Sequence, residues 1–244
     1  MVPSDWPDVL DAAERARSAR FAFEADRRRY VVAHVLARKV LADHLGAGPS
    51  DLRFTTACAR CGGPHGKPAL AGPGAGDVEF SISHSGDWAV VGVARGVQIG
   101  VDVERILPSI AELAATHGFL APVERHVVLS LPFARRAFAV GRYWVRKEAT
   151  LKASGDGLAV PPAALTVSPP AEPAAVLAYG SAWTSGPVRL HDLAAREGHL
   201  GSVAVLSDSA PIVVEHEATA VIGVGTRGIS TVLTESLDTR PNLY

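Results

Sequence analysis

Hydrophobic and polar positions alternate with two different periods along the first half of the chain. Between residues 9 and 46 apolar side chains recur at helical spacing, and the segment 46–49, Gly-Ala-Gly-Pro, predicts the end of that helical region. Farther along, period-two runs bounded by turn residues are typical of β-strands. Strands are predicted at 52–55, on both sides of a turn at 85–87 within 78–94, and at 97–105.

The second half of the chain repeats this order of a long helix followed by short strands. Helix-favouring residues without a proline predict a helix from about residue 134 to 153, which ends at Gly155 because glycine readily adopts the left-handed conformation of a helix end. The preceding region, 106–133, is divided by prolines and is predicted to be a helical connection. Short β-like runs are predicted at 164–167, 175–179 and 201–206.

Domain organisation is predicted from this repetition. The two stretches of helix and strands favour an internal duplication, with an N-terminal half at 1–110 and a C-terminal half at 111–224. Residues 225–244 show no clear period, so we expect this tail to be disordered.

Composition indicates a soluble globular protein. Of the 244 residues, 48% are hydrophobic and 20% are charged, and the formal net charge is -1. A charge so close to zero provides no general field for nucleic acid, and no apolar run of about 18 residues predicts a membrane span. The N-terminus lacks the basic and apolar regions of a signal peptide, so we expect a cytoplasmic protein.

Two cysteines suggest a possible metal site. Cys58 and Cys61 form a Cys-x-x-Cys pair, and His65 follows them. This spacing is found in zinc sites and in redox motifs. A structural zinc ion normally needs a fourth ligand, and a redox motif normally caps a helix after a strand, but the sequence shows neither feature. A plain loop is the alternative interpretation.

One face of the predicted helix in the second half carries groups suited to catalysis. Trp144, Glu148 and Lys152 recur every four residues and therefore share that face. A carboxylate and an ammonium group one turn apart, beside an indole ring, suit a phosphate and a metal ion together. On this helix alone, an ordinary surface ion pair beside a core tryptophan is the favoured interpretation, so the other segments must decide between the two.

The strand predicted at 97–105 carries two further carboxylates. Period-two spacing puts Val101 and Val103 on one face and Asp102 and Glu104 on the other. Two carboxylates this close repel each other unless a cation or a shared proton lies between them. A solvated polar face would also explain the pair, but the flanking apolar residues favour burial and hence a metal site.

Four short motifs, taken together and in this order, resemble the 4'-phosphopantetheinyl transferases, specifically the longer, surfactin-type group. The motifs are Gly66-Lys67-Pro68, Ser83-His84-Ser85-Gly86 with Trp88, Gly100-Val101-Asp102-Val103-Glu104, and Trp144-x-x-Lys147-Glu148-Ala149-x-x-Lys152 with Gly155 and Gly157. The resemblance covers residues from about 17 to 206. It implies an α+β fold in which two similar α/β halves, related by pseudo-twofold symmetry, form one monomer with coenzyme A in the cleft between them.

The resemblance also implies a reaction. The 4'-phosphopantetheine group of coenzyme A is transferred to a serine of an apo acyl or peptidyl carrier domain, and adenosine 3',5'-bisphosphate is released. Magnesium is the implied cofactor, because this hard cation takes carboxylate and phosphate oxygens together. Asp102, Glu104 and Glu148 are the implied metal ligands. Glu148 is also the candidate base for the serine proton. Asp102 and Lys152 are the other two implied catalytic residues.

Coenzyme A is expected to contact five residues by the same resemblance. Ser83 and His84 are assigned to its phosphates, Lys67 to its nucleotide portion, Arg17 to its 3'-phosphate, and Lys152 to the phosphates where charge builds up. The two tryptophans of the motifs, Trp88 and Trp144, are predicted to pack in the core around the site.

Two other functions and a docking surface are also compatible with the sequence. A metal-dependent phosphohydrolase would use the same carboxylates, but it would not explain Arg17 and Lys67. A non-catalytic binding module held by zinc is the second alternative. For an acidic carrier domain, two sets of arginines are candidate docking positions. They are Arg15, Arg17, Arg20, Arg27, Arg28, Arg29 and Arg38 near the N-terminus, and Arg135, Arg136, Arg142 and Arg146 on the long helix.

Overall fold

The structure is a computed structural model that describes residues 6–58, 61–64, 66–72, 75–107, 118–180, 183, 185–194 and 198–218, and the backbone of 229–235. Its α-helices are α1 (Trp6–Val9), α2 (Ala12–Ser18), α3 (Glu24–Leu45), α4 (Pro122–Ser130) and α5 (Phe133–Ser154). Its strands are β1 (Arg53–Thr55), β2 (Ala69–Ala71), β3 (Val78–Ser85), β4 (Trp88–Arg95), β5 (Ile99–Arg105), β6 (Thr166–Val167), β7 (Val176–Ala178), β8 (Val188–Asp192), β9 (His199–Leu206), β10 (Ile212–Glu217) and β11 (Ile229–Glu235). Short 3-10 turns occupy Gly157–Ala159 and Pro162–Ala164.

Glycines end both long helices, as the sequence predicts. Gly46 follows α3 with φ 63° and Gly155 follows α5 with φ 75°, the left-handed conformation that residues other than glycine adopt only at a cost. The helical region predicted at 9–46 is divided, because Asp11 caps a separate helix α2 through a capping box with Glu14. Among the described helices, none combines the length and the apolar character needed to cross a lipid bilayer.

Two larger sheets organise the described strands. One has the order β10-β11-β4-β3 and the other β5-β9-β8, and two-stranded ribbons are formed by β1 with β2 and by β6 with β7. The hairpin of β3 and β4 turns at Gly86, whose φ is 57°. Strand β5 pairs with β9 and packs beside β3, so it connects the two larger sheets.

The chain beyond residue 225 differs from the prediction. Disorder was expected there, but residues 229–235 form β11, which pairs in parallel with β4 and antiparallel with β10. The backbone groups along the second edge of β4 need partners, and β-branched residues in this segment suit a strand. The other tail residues lie outside the described ranges. Strands β2, β8 and β10 are further elements that turn and strand patterns did not predict.

The mixed architecture confirms the predicted α+β class. Strand β5 comes from the predicted N-terminal half but pairs with β9 from the C-terminal half, and β11 joins the sheet that contains β4. Strands from both sides of residue 110 therefore share both larger sheets. The division at that residue and the pseudo-twofold relation of the halves stay predictions.

Each long helix packs on one of the larger sheets. Helix α3 covers β3 and β4, with Leu36, Leu41 and Phe80 among the fully buried side chains. Helix α5 covers β5 and β9 at very close range, because Gly100 on β5 has no side chain. A Cβ atom at residue 100 would lie only 2.1 Å from the carbonyl oxygen of Ala149 in α5. This close contact brings the face of α5 that carries Glu148 and Lys152 against the carboxylates of β5.

Three arginines proposed for carrier docking are instead structural. Arg38 is fully buried and forms an ion pair with Glu14, with Arg38 Nε 2.7 Å from Glu14 Oε2. Arg146 is also fully buried and is paired with Asp192 at 2.6 Å, while Arg142 is 7% exposed and lies 3.3 Å from the same carboxylate. None of the three residues is more than 7% exposed, and each contacts a carboxylate inside the protein, so the docking prediction is wrong for these three residues.

Candidate functional site

A cleft of about 990 Å³ collects residues from α2, α3, α5, β3 and β5. Every residue predicted for coenzyme A, magnesium or catalysis lines it. These residues are Arg17, Lys67, Ser83, His84, Asp102, Glu104, Glu148 and Lys152. Motifs that are far apart in the sequence therefore face one space, large enough for a dinucleotide-sized ligand.

Asp102 lies at the centre of a buried network in this cleft. The Lys152 ammonium is 2.6 Å from Asp102 Oδ1, and the Ser83 hydroxyl donates to the same oxygen at 2.9 Å. Lys152 also donates to Ser83 Oγ at 3.1 Å. Burial raises the pKa of Asp102, and the lysine and serine partly oppose that rise. The ion pair between Lys152 and Asp102 thus spans the interface between α5 and β5.

The second oxygen of Asp102 has no such partner. Oδ2 is buried and accepts no hydrogen bond from any described residue. A buried carboxylate oxygen left in this state is costly, and a cation in the cleft would satisfy it. The donor set therefore fits a hard metal ion, since Glu104 and Glu148 present further carboxylate oxygens to the same cleft.

Glu104 is held from two sides. The Ser85 hydroxyl donates to Glu104 Oε2 at 2.6 Å, and the Trp144 side chain also hydrogen-bonds this carboxylate. Burial raises the pKa of Glu104; the bond from Ser85 lowers it, and the charge of Asp102 raises it further. This carboxylate is therefore oriented before any ligand arrives.

Glu148 lies on α5 one turn before Lys152, as its spacing predicts. Burial raises its pKa, the nearby charge of Asp102 raises it further, and Lys152 opposes the rise. The three carboxylates do not form a complete protein cage: no group of three or more His, Cys, Asp or Glu side chains in the described ranges is arranged to hold a metal ion alone. Magnesium commonly completes its shell with substrate phosphate and water, so this arrangement remains suitable for it.

His84 faces the cleft as a neutral imidazole at pH 7. Burial lowers its pKa below the ordinary value of 6.5, and the cations Lys152 and Arg29 lower it further, together with His34. A neutral imidazole carries one N–H donor and one acceptor. His84 is therefore suited to donate one hydrogen bond to a phosphate oxygen.

Lys67 is more deeply placed than its position in a loop suggests. Its ammonium donates to Gln98 Oε1 at 2.9 Å and lies 3.8 Å from Glu79 Oε2. Burial lowers the pKa of Lys67 to about 8, although the charge of Glu79 acts in the opposite direction. Arg17 lies at the last turn of α2 and is exposed.

Aromatic residues that the sequence did not assign to the site also line the cleft. Tyr30 stacks on His34 with 4.0 Å between the ring centroids, and both belong to α3. Trp144 was predicted to pack in the core, but it is only half-buried and forms part of the cleft wall. Its ring contacts Phe119 edge to face, with 4.9 Å between the ring centroids. Trp88 is also only half-buried, but it packs against the apolar cluster of β5 and β9, in agreement with its predicted packing role.

Cys58 and Cys61 also lie on the cleft wall, in the loop between β1 and β2. His65, the third residue of the predicted zinc site, lies outside the described residues. A zinc site at this loop therefore stays a prediction.

Two family models match the chain over nearly its whole described length. The model described as "4'-phosphopantetheinyl transferase superfamily" matches residues 98–204. The model described as "4'-phosphopantetheinyl transferase, N-terminal" matches residues 4–95. Together they contain all the cleft residues predicted from the sequence.

Individual proteins are similar as well. The 4'-phosphopantetheinyl transferase HetI of Nostoc is 33% identical over 167 residues, which are 65% of this chain and 68% of HetI. The 4'-phosphopantetheinyl transferase Sfp of Bacillus subtilis is 30% identical over 152 residues, or 62% of this chain and 63% of Sfp. A phosphopantetheinyl transferase of Mus musculus is 26% identical over 160 residues, which cover 49% of its length.

The matched part of the chain thus spans between about half and two thirds of these relatives, from 49% to 68% of their length. Membership of the surfactin-type group stays a prediction. On the two family models and the similarity to HetI, the chain belongs to the 4'-phosphopantetheinyl transferase superfamily.

Proposed function

We propose that this protein transfers the 4'-phosphopantetheine group of coenzyme A to a serine hydroxyl of an apo carrier protein. The observation that carries the proposal is one cleft that combines cations from Arg17, Lys67 and Lys152 with carboxylates from two elements, β5 and α5. The cations match the phosphates of coenzyme A, and the carboxylates match a metal ion and a catalytic base. Relatives of the same superfamily carry this activity in their names.

Magnesium fits the carboxylate side of the cleft. Asp102, through its unpartnered Oδ2, together with Glu104 and Glu148 would hold the ion, and phosphate oxygens and water would complete its shell. When bound, magnesium neutralises charge on the diphosphate and makes its phosphorus more electrophilic.

The chain's own residues supply the remaining chemistry. Glu148 accepts the proton of the carrier serine, directly or through one water, while the serine oxygen forms a bond to the phosphorus nearer the pantetheine. The bond from that phosphorus to the bridging oxygen breaks, and adenosine 3',5'-bisphosphate leaves with both bonding electrons. The Lys152 ammonium, held by Asp102, offsets the charge that builds on the phosphates.

Coenzyme A is oriented by the other side of the cleft. Arg17 and Lys67 supply positive charge for the 3'-phosphate and the nucleotide portion. Neutral His84 donates a hydrogen bond to a phosphate oxygen, and Ser83 lies beside it on β3. We expect the protein to act as a monomer in the cytoplasm.

Intact-mass spectrometry of an apo carrier protein tests this proposal. With coenzyme A and magnesium, the protein is expected to add one phosphopantetheine group to the carrier, and EDTA should prevent the addition. Glu148→Gln should slow transfer by about 100-fold or more, because it removes the base. Glu172→Gln, an exposed carboxylate outside the cleft, is the control and should transfer normally.

Other outcomes would support the alternative functions. Release of phosphate or adenosine bisphosphate from coenzyme A without a mass gain on several different carriers would support a phosphohydrolase. Zinc retained through purification, with neither reaction, would support a zinc-held binding module.

A further inference from the structure

Three serines at alternate positions of β3 face β5, although these two strands belong to different sheets. Each hydroxyl accepts a hydrogen bond from a backbone N–H of β5. The pairs are Val101 with Ser81 at 3.1 Å, Val103 with Ser83 at 3.2 Å, and Arg105 with Ser85 at 3.1 Å. We call these three residues the serine ladder; it replaces direct backbone pairing between β3 and β5.

Two members of the serine ladder also hold the carboxylates of β5. Ser83 donates to Asp102 Oδ1 at 2.9 Å, and Ser85 donates to Glu104 Oε2 at 2.6 Å. A serine hydroxyl has a single proton, so a hydroxyl that accepts from the backbone still has one hydrogen bond to donate. The backbone contact fixes the position of the oxygen, and the proton is then directed at the carboxylate.

The third member lacks such a carboxylate. Ser81 stands two residues before Ser83, and the corresponding position on β5, two residues before Asp102, is Gly100, which has no side chain. Ser81 therefore shares the backbone contact of Ser85 without its carboxylate contact. Comparing Ser81 with Ser85 therefore separates two effects: joining strands β3 and β5, and orienting a carboxylate that is proposed to bind the metal.

We propose that Ser85 is a positioning residue that holds the Glu104 carboxylate toward the metal position in the cleft. Asp102 lies on the same face of β5, so its charge tends to drive the Glu104 side chain away into solvent. The short bond from Ser85, with support from Trp144, opposes this movement. Orientation before binding then reduces the cost of ordering the carboxylate when a metal ion arrives. This inference rests on the proposed function.

Mn²⁺ binding in the presence of coenzyme A tests the inference. The concentration of free Mn²⁺ is measured from its electron paramagnetic resonance signal. No carrier protein is added, so no transfer occurs, and coenzyme A alone provides the baseline. Ser85→Ala is expected to weaken Mn²⁺ binding by about tenfold, the lower range for losing a partner of a metal ligand. Ser81→Ala should bind Mn²⁺ as the wild type does, and Ser85→Thr, which retains a hydroxyl, should also do so.

Three results would overturn the role of Ser85. They are equal weakening in both alanine variants, no weakening in either, and a loss in Ser85→Thr as large as in Ser85→Ala. Thermal unfolding of each variant separates loss of the fold from loss of metal, and the threonine variant tests the inference even if Ser85→Ala is unstable. Failure of the proposed function would be seen separately, as absence of transfer by the wild-type protein.

Discussion

At the scale of single residues, burial gives Lys67 a charge that depends on pH near neutrality. Its pKa of about 8 is well below that of a solvated lysine, because the side chain is withdrawn from water and Glu79, at 3.8 Å, compensates only in part. In the free protein the ammonium is therefore mostly protonated at pH 7 and mostly neutral at pH 9.

We expect the affinity for coenzyme A to fall as the pH rises through about 8. Lys67 loses its proton in the free protein, so the phosphates lose an attractive charge and the dissociation constant rises by up to about tenfold for each pH unit above the pKa. Lys67→Arg should give a flatter profile, since arginine stays protonated. Calorimetric titration with coenzyme A from about pH 7 to pH 9, without carrier, measures the dissociation constants of the wild type and of Lys67→Arg. If the two proteins show the same dependence on pH, Lys67 does not cause the effect.

Sequence spacing predicted residue positions better than residue partners. The four-residue repeat on α5 correctly places Glu148 and Lys152 on one face of the cleft. The bond from Ser85 to Glu104 was not predictable, because it depends on how closely two sheets approach. Trp144 was assigned to the core because most tryptophans are buried, whereas here one side of the ring borders the cleft.

At the scale of elements, α5 has opposite faces with different tasks. Glu148 faces the cleft, but its neighbour Lys147 is fully buried on another face and lies 2.6 Å from Glu124 of α4. The Lys147 ammonium also donates to the carbonyls of Phe119, Pro162 and Leu165. One buried cation thus fastens α5 to α4 and to two loops, a role that its place in a sequence motif did not reveal.

Lys147→Met should lower the free energy of unfolding by about 3–5 kcal/mol, because it leaves the buried Glu124 carboxylate without its counter-charge. Arg125 is an exposed residue of α4, the helix that contains Glu124, and Arg125→Met is the control. We expect it to change the free energy of unfolding by less than about 0.5 kcal/mol. Urea denaturation followed by circular dichroism measures both. If Lys147→Met is no more destabilising than the control, the buried pair does not hold these elements together.

At the scale of the whole molecule, the cleft depends on direct backbone contact between α5 and β5. A Cβ atom at Gly100 would lie 2.1 Å from the carbonyl oxygen of Ala149 and 2.3 Å from the amide nitrogen of Ala153. Neither atom can move without moving the helix. The 2.6 Å contact between Lys152 and Asp102 spans this same interface.

Gly100→Ala is therefore expected to separate α5 from β5 and to disturb the cleft as well as the core. Stability should fall by about 1–3 kcal/mol or more, and kcat/KM for transfer should fall by at least about tenfold. Gly141→Ala, on the helix side of this interface in α5, is the control, because a Cβ there meets only the end of the Leu200 side chain, at 3.2 Å. Thermal unfolding and transfer assays measure both variants, and equal effects would contradict a special role for residue 100.

The fold was predictable where local signals determine it. The hairpin of β3 and β4 and the ends of α3 and α5 all coincide with glycines that take left-handed conformations. Strand β11 was not predictable, because its place depends on an open edge of β4 far away in the sequence. The buried arginines were mistaken for surface charges for the same reason: Arg146 requires Asp192, which comes much later in the chain.

The parallel pairing of β11 with β4 also has a consequence for synthesis of the protein. Residues 89–94 pair with residues 229–234, so β4 gains its second neighbour only after the ribosome has passed residue 229. Closing so long a loop is slow, since many intervening residues must first be ordered. Until then the nascent chain exposes unpaired backbone groups of the kind that recruit strands from other molecules. Efficient expression therefore depends on protecting this edge until β11 emerges.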